Sequence, residues 1–168
     1  MRVIPFNHDP GSLPPSLAKV PFLAQLGGST LDGVLSRSSV LEFFPGDVLI
    51  KEGELSAYFC ILLKGSVRIV KGVEEVARIE ANGALLGELA LLNGGARSAT
   101  VEGLSHGFCL RIEPGFLERL SDADRSAFYA TLYRFVALLL GERLAECTAH
   151  LAAAEKELQG YRPSSARR

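Results

Sequence analysis

One short segment of the sequence, residues 83–101, combines a glycine-led turn, a carboxylate and an arginine. Gly87 and Glu88 open a run of helix-forming residues, and Arg97 and Ser98 follow a Gly-Gly-Ala loop. The first N–H groups of a helix lack partners within the helix and carry partial positive charge, so they favour anions. Arg97 can add a charge-assisted hydrogen bond, and Ser98 a hydroxyl donor. These residue types predict a site for an anion.

The acidic residue narrows the kind of anion. Glu88 would repel a bound anion unless its carboxylate faced hydroxyl groups, and the hydroxyls of a sugar are the obvious partner. An anion beside a sugar describes a phosphorylated ribose, and an ordinary P-loop is excluded because its G-x-x-x-x-G-K-[ST] pattern is absent. Two alternatives stay open at this point. Arg97 could be a solvated arginine at a strand edge, and Glu88 a first-turn acid favoured by the helix dipole.

The elements around this segment are mainly short strands. Between residues 40 and 112, short apolar runs are separated by Gly and Pro turns, which predicts seven or eight antiparallel strands in a sandwich or barrel. Residues 88–92 form a single helical turn among them. Two short helices are predicted at 21–26 and 29–36. Residues 1–19 contain four prolines and are predicted to be a flexible lead-in.

A long helix is predicted over residues 121–159, because Ser121 can cap it and no proline interrupts it. Apolar residues recur along it at alternating spacings of three and four, the seam of a coiled coil. The seam residues are Ala130, Tyr133, Ala137, Leu140, Leu144, Cys147, Leu151, Ala154 and Leu158. The pattern favours a parallel homodimer; the alternative is one amphipathic helix lying on its own domain. Residues 160–168 are predicted to be a disordered tail.

The central segment closely resembles the phosphate-binding cassette of the cyclic nucleotide-binding domain family. In that family the pattern is roughly Gly-x-x-Phe-Gly-Glu-x-Ala-Leu-Leu, a short loop, and then Arg-[Ser/Thr/Ala]-Ala-[Thr/Ser]-Val. The matching residues here are Gly83, Leu86, Gly87, Glu88, Ala90, Leu91, Leu92, Arg97, Ser98, Ala99, Thr100 and Val101. Residues 44–53 and 58–70 resemble the family's first strands and central hairpin, so the resemblance covers about residues 20–120. Leu86 replaces the family's phenylalanine.

The resemblance implies a mainly β fold, a double-stranded β-helix (jelly-roll) barrel of about eight strands, with short N-terminal helices, the cassette helix and the long C-terminal helix. It implies that Arg97 binds the cyclic phosphate and Glu88 the ribose 2′-hydroxyl. Further phosphate contacts would come from the Ser98 hydroxyl and the backbone of Leu89 and Ala90, after the turn at Gly87. For the base, the resemblance and the facing strands suggest Ile69 and Ala77. Serine at position 98 favours cAMP over cGMP as the ligand.

Several other classes of function are disfavoured. The formal net charge is −1 and only residues 160–168 follow the long helix, so direct DNA binding is not expected. Three scattered cysteines and three scattered histidines indicate no metal site and no cofactor, and no catalytic constellation is visible. A signal peptide and a membrane span are not apparent, which predicts a cytoplasmic protein. We expect a sensor, not an enzyme, that relays ligand binding through its C-terminal helix to an unknown downstream protein. The alternative is a ligand-free interaction module.

Overall fold

The computed structural model describes residues 1–56 and 58–160, and within them the chain is mainly antiparallel β-structure. The strands form one sheet in the order β1-β2-β9-β4-β7 and a second in the order β3-β8-β5-β6. The strand bounds are β1 Arg2–Pro5, β2 Ser38–Phe43, β3 Val48–Ile50, β4 Phe59–Lys64, β5 Val67–Lys71, β6 Glu74–Ile79, β7 Leu85–Leu86, β8 Thr100–Gly103 and β9 Gly107–Ile112.

Three short helices lie between β1 and β2, one turn of helix lies between β7 and β8, and a 3₁₀ helix leads into the long C-terminal helix. The first of them, at residues 15–18, is not among the helices that the sequence predicts. The helix bounds are α1 Pro15–Ala18, α2 Pro21–Ala24, α3 Gly28–Ser36, α4 Glu88–Asn93, the 3₁₀ helix Pro114–Arg119 and α5 Asp122–Gly160. The predicted fold class is thereby confirmed, apart from the closure of the barrel.

The two sheets share one hydrophobic core but do not close into a barrel, contrary to the prediction. Within residues 1–56 and 58–160, each strand pairs only with neighbours in its own sheet. Both sheets contribute buried side chains to the core, among them Leu41, Phe43, Leu49, Ile50, Cys60, Leu62, Val67, Leu86, Val101 and Cys109. The two sheets are therefore held together by packing of their apolar faces. The strands of a closed barrel would instead be joined by a continuous ladder of hydrogen bonds.

The lead-in differs from the prediction of a flexible segment over residues 1–19. Arg2–Pro5 forms β1 and pairs antiparallel with β2, with Val3 opposite Leu41. Without β1, the outer edge of β2 would present unpaired N–H and C=O groups, and pairing them stabilises the segment. Farther along, the Asp32 carboxylate accepts hydrogen bonds from the Gly11 N–H at 3.0 Å and from His8 Nε2 at 2.7 Å. Both hydrogen bonds lower the pKa of Asp32, and the bond from Gly11 has the larger effect.

An aromatic cluster fixes the helical elements of the N-terminal part to the sheets. Phe22 of α2 meets the edge of Phe59 on β4 and of Phe128 on α5, with ring centroids 6.1 and 5.9 Å apart. Phe128 also contacts Phe116 of the 3₁₀ helix at 5.0 Å. Edge-to-face pairs of this kind stabilise a core beyond the area they bury.

The chain divides into two compact units, Met1–Thr131 and Leu132–Arg168. Helix α5 begins in the first unit, where the Ser121 hydroxyl accepts a hydrogen bond from the Asp124 N–H at 3.1 Å. This is the N-terminal cap that the sequence predicts. The rest of α5, through Gly160, makes up the described part of the second unit. The predicted tail lies, from residue 161 onward, outside the described residues. Over the described part of the chain, none of the helices combines the length and the apolar character that crossing a bilayer requires.

Candidate functional site

The cassette begins at a turn that only glycine accommodates well. Gly87 has φ +78° and precedes the first residue of α4. A Cβ atom on Gly87 would lie 2.6 Å from Arg97 Nη1 and 2.7 Å from Ile50 Cδ1. Glycine is therefore required twice, once for its left-handed backbone and once for the close approach of the arginine. The predicted proximity of Gly87 and Arg97 is thus a direct contact in the structure.

The Arg97 side chain is buried, with 3% of its surface exposed, and its guanidinium binds several parts of the chain. Nη1 donates to the Gly87 carbonyl at 2.6 Å, and Nε donates to Ser56 Oγ at 3.1 Å. Nη2 donates to the Tyr58 carbonyl. Its Cζ atom also lies 4.7 Å from the centroid of the Tyr58 ring. A long side chain held by so many contacts has already lost most of its rotamer freedom.

The backbone of Arg97 is fixed by the same loop that holds its side chain. The Gly53 N–H donates to the Arg97 carbonyl at 2.9 Å, and the Arg97 N–H donates to the Glu54 carbonyl at 3.0 Å. Four residues between β3 and β4 therefore contact the backbone or the side chain of Arg97: Gly53, Glu54, Ser56 and Tyr58. A reader of the sequence alone would not find these partners, because most contribute backbone groups that carry no residue signature.

Charge at the site is concentrated in two buried side chains. Glu88, in the first turn of α4, is 4% exposed, and Arg97 is buried beside the same turn. Burial lowers the pKa of Arg97, and Tyr58 and the Glu88 carboxylate act in the opposite direction. An arginine whose usual pKa exceeds 12 remains charged under either influence. The structure therefore holds a permanent cation and an acid at the start of one helix.

Ser98, which follows the buried arginine, is exposed, and its backbone is tied to the neighbouring hairpin. Lys71 Nζ donates to the Ser98 carbonyl at 2.7 Å and pairs with the Glu52 carboxylate at 2.6 Å. Glu52 also accepts from the Gly72 N–H at 2.8 Å. Both hydrogen bonds lower the pKa of Glu52, and the bond from Lys71 has the larger effect. This network, which the sequence does not predict, adds a second cation near the cassette.

The two candidates for the base pocket are neighbours in one sheet. Ile69 on β5 is paired with Ala77 on β6, and its other neighbour is Val101 on β8. Residues directly opposite in an antiparallel pair share a face, so Ile69 and Ala77 face the same side of the sheet. Ile69 packs against the shared core, which places that face inward. Their proximity agrees with the prediction, and their role in binding stays a prediction.

A small cavity of about 190 Å³ lies beside α4. Its lining residues are Leu55, Ser56, Ala90, Gly94 and Gly95. Ala90 is the one predicted site residue among them, and Ser56 is also a hydrogen-bond partner of Arg97. The cavity thus borders the cassette on one side. Within residues 1–56 and 58–160, histidine, cysteine and acidic side chains do not gather into groups of three or more that could hold a metal ion.

These features define a class of protein: two packed antiparallel sheets with a glycine-led turn that contacts a buried arginine. A family model described as the cyclic nucleotide-binding domain matches residues 40–124, half of the chain. The chain belongs to the cyclic nucleotide-binding domain family.

Three comparisons place the chain among its relatives. A cAMP-dependent protein kinase regulatory subunit of Hypocrea atroviridis is 36% identical over 85 residues, covering 51% of this chain and 18% of that protein. A cGMP-dependent protein kinase of Plasmodium berghei is 31% identical over 102 residues, covering 59% of this chain and 10% of that protein. The solved regulatory subunit of a cAMP-independent protein kinase A from Trypanosoma brucei is 28% identical, with a TM-score of 0.59, over 71% of this chain and 42% of that one. The chain spans a fifth or less of the curated relatives named here.

Proposed function

We propose that this chain is a non-catalytic receptor for a cyclic nucleotide, with cAMP as the ligand. The observation that carries the proposal is the buried guanidinium of Arg97, held in hydrogen-bond contact with the turn at Gly87. A buried, preorganised cation costs little further ordering when an anion binds, so it suits a phosphate that must be captured from water.

We assign the site residues the roles that the resemblance to the family's cassette implies. Arg97 binds the cyclic phosphate, together with the Ser98 hydroxyl and the backbone N–H groups of Leu89 and Ala90. Glu88 accepts a hydrogen bond from the ribose 2′-hydroxyl, a donor that an ionised phosphate does not offer to a carboxylate. The inward face that carries Ile69 and Ala77 contacts the base by apolar packing.

The identity of the base is argued from the cassette and the relatives. Ser98 favours cAMP, as does the name of the fungal relative, whereas the Plasmodium relative is named for cGMP. A third outcome is a ligand-free interaction module, and the similarity to a cAMP-independent regulatory subunit favours that alternative. The buried Arg97 favours a bound ligand, because a guanidinium held beside a glycine-led turn suits an anionic phosphate.

Calorimetric titration tests the proposal on the whole chain. We expect cAMP to bind with measurable heat, cGMP more weakly, and 5′-AMP and guanosine weakest, because neither presents a cyclic phosphate. Stronger binding of cGMP than of cAMP would reverse the proposed base preference but would still support a cyclic-nucleotide receptor. If neither cyclic nucleotide binds, the proposal is contradicted and the ligand-free interaction module is the remaining alternative.

A matched pair of arginine variants tests the assignment of the phosphate contact. Arg97→Ala is expected to weaken cAMP binding by about 2–5 kcal/mol, the usual cost of removing one partner from a buried charged pair. Arg78→Ala removes an arginine of β6 whose side chain is largely exposed, and it should leave the affinity unchanged. Equal affinities of the two variants would refute the role of Arg97.

We further propose that the chain forms a parallel homodimer through α5. The support is a stripe of leucines that the second unit leaves exposed at heptad spacing: Leu144, Leu151 and Leu158 have 69%, 66% and 71% of their surface exposed. Cys147 lies on the same stripe and is also exposed. In a parallel pair in register, each stripe packs against its copy, and the two Cys147 thiols come within disulfide distance.

Two measurements test the dimer. Mild oxidation should crosslink the wild-type chain through Cys147, and Cys147→Ser should abolish the crosslink. Leu151→Glu on the stripe should yield monomers in sedimentation, while Leu138→Glu, an exposed leucine beside the stripe, should not. Wild-type monomers at every concentration would contradict the dimer.

The remaining part of the proposal concerns output and location. Ligand binding is relayed through α5 to a downstream protein, and the names of the relatives suggest a protein kinase as that partner. A cytoplasmic location is supported by Cys60 and Cys109, which are free thiols in the core. Hydrogen exchange along α5 with and without cAMP tests the relay, which predicts a change in protection on binding.

A further inference from the structure

The ring of Tyr58 contacts two guanidinium groups. The Cζ atom of Arg97 lies 4.7 Å from the ring centroid, and that of Arg111 lies 4.1 Å from it. A guanidinium within about 6 Å of an aromatic face is attracted by the negative face of the ring. Tyr58 is therefore placed to hold the cassette arginine by attraction.

Tyr58 is itself held firmly enough to serve as an anchor. Its hydroxyl donates to the Leu49 carbonyl at 2.8 Å, and its ring packs against the shared hydrophobic core. Burial raises the pKa of the hydroxyl, so it stays protonated and keeps this hydrogen bond at physiological pH. Tyr58 and Arg97 are 39 residues apart in the sequence, so their contact fixes two distant segments to each other.

A ring contact leaves hydrogen-bond donors available for a ligand. The hydrogen bonds to Ser56, Gly87 and the Tyr58 carbonyl engage part of the N–H donors that a guanidinium carries. The contact with the ring face restrains the orientation of the Arg97 plane and uses none of them. The Tyr58 ring thus restrains the orientation of the Arg97 guanidinium without occupying the N–H groups that a ligand can use.

The second guanidinium does not leave an uncompensated charge beside the first. Arg111 Nη2 pairs with the Glu113 carboxylate at 2.6 Å. Because that pair offsets the charge of Arg111, the repulsion between Arg111 and Arg97 is reduced while the contact of Arg111 with the ring remains.

We propose that Tyr58 is a positioning residue for phosphate binding, which orients Arg97 through its ring, and that Arg111 supports the ring. The inference rests on the proposed function, since it assumes that Arg97 receives the phosphate. The cassette, residues 83–101, includes neither Tyr58 nor Arg111.

The first test compares two ligands and two backgrounds by calorimetry. Tyr58→Leu is expected to lower cAMP affinity about tenfold, the size of a desolvated cation–π contact, and to leave adenosine binding unchanged. Tyr58→Phe keeps the ring and should retain affinity within about threefold. In the Arg97→Ala background, Tyr58→Leu should have almost no further effect. Equal losses for cAMP and adenosine, or an undiminished loss without Arg97, would overturn the proposal.

A matched pair tests the supporting cation. Arg111→Met should lower cAMP affinity about twofold to threefold, as expected for an exposed-to-intermediate cation–π contact. Arg78→Met, on β6 away from Tyr58, should have no effect. A larger loss in Arg78→Met than in Arg111→Met would refute the supporting role.

The second test needs no ligand, so it separates this inference from the proposed function. In a spectrum of the ¹⁵N-labelled arginine side chains, the Arg97 signals, assigned by their loss in Arg97→Lys, should show the ring-current shift of a nearby aromatic face. That shift should persist in Tyr58→Phe and disappear in Tyr58→Leu. Unchanged Arg97 signals in Tyr58→Leu would overturn the positioning role. Failure of the wild-type chain to bind cyclic nucleotides would refute the proposed function and with it the role in phosphate binding, and the spectrum would then decide only whether Tyr58 orients Arg97.

Discussion

Replacing Gly87 by alanine perturbs the candidate site at its most crowded point. The new methyl group would lie 2.6 Å from Arg97 Nη1 and 2.7 Å from Ile50 Cδ1, closer than carbon atoms approach each other in proteins. The backbone there has φ +78°, which costs an L-residue about 1–2 kcal/mol. Gly46 is a matched control, since its φ is +85° and a Cβ atom there would meet nothing within 4 Å.

Both variants lose stability because alanine is strained at a positive φ, and only Gly87→Ala also loses stability through steric overlap. Gly46→Ala should destabilise the protein by about 1–2 kcal/mol. Gly87→Ala should add roughly 1–3 kcal/mol for overpacking, because Ile50 belongs to the core and Arg97 is held by several partners. For a chain of this size, each kcal/mol lowers Tm by about 2–4 °C. The melting temperature of Gly87→Ala should therefore lie about 2–12 °C below that of Gly46→Ala.

Thermal unfolding and cAMP titration of both variants provide the assay. Displacement of Arg97 in Gly87→Ala should also lower cAMP affinity, while Gly46→Ala should bind as the wild type does. Equal melting temperatures and equal affinities in the two variants would refute the close packing of Arg97 against the turn.

Three further predictions concern the rest of the molecule. At pH 8 a thiol reagent should leave Cys60 and Cys109 unlabelled in the folded protein and label them after unfolding, because burial raises the pKa of Cys60 to about 12 and also raises that of Cys109. The pKa of Asp32 is lowered in the folded state, so its contribution to stability is present above about pH 4 and is lost as the pH falls through the folded value; unfolding of Asp32→Asn should therefore depend less on pH in that range. Phe128→Ala removes a fully buried ring from the aromatic cluster and should cost about 3–5 kcal/mol in chemical denaturation; a cost below about 1 kcal/mol would contradict the packing described.

The parts of the fold that could be predicted from the sequence are those with local signals. Ser121 and the absence of proline predict α5, and glycine and proline turns predict the strands. The strand β1 could not be predicted, because residues 2–5 become a strand only by pairing with β2. The open arrangement of the two sheets also lacks a local signal, since it depends on which strands pair at the edges.

The candidate site divides in the same way. The spacing of the cassette predicts that Gly87, Glu88 and Arg97 lie together, and the structure shows the contact between Gly87 and Arg97. The partners that orient Arg97 could not be predicted, since the Tyr58 contact joins residues 39 apart and uses a backbone carbonyl and a ring face. A tyrosine at the start of a strand is more often a core residue than an anchor for an arginine.

A crystal structure of the chain grown with cAMP tests the central claim most directly. We expect the cyclic phosphate to lie within about 3 Å of the Arg97 guanidinium, and the ribose 2′-hydroxyl to lie at a similar distance from the Glu88 carboxylate. The base should lie against Ile69 and Ala77. A nucleotide bound away from Arg97, for example only in the cavity lined by Leu55 and Gly95, would contradict the account.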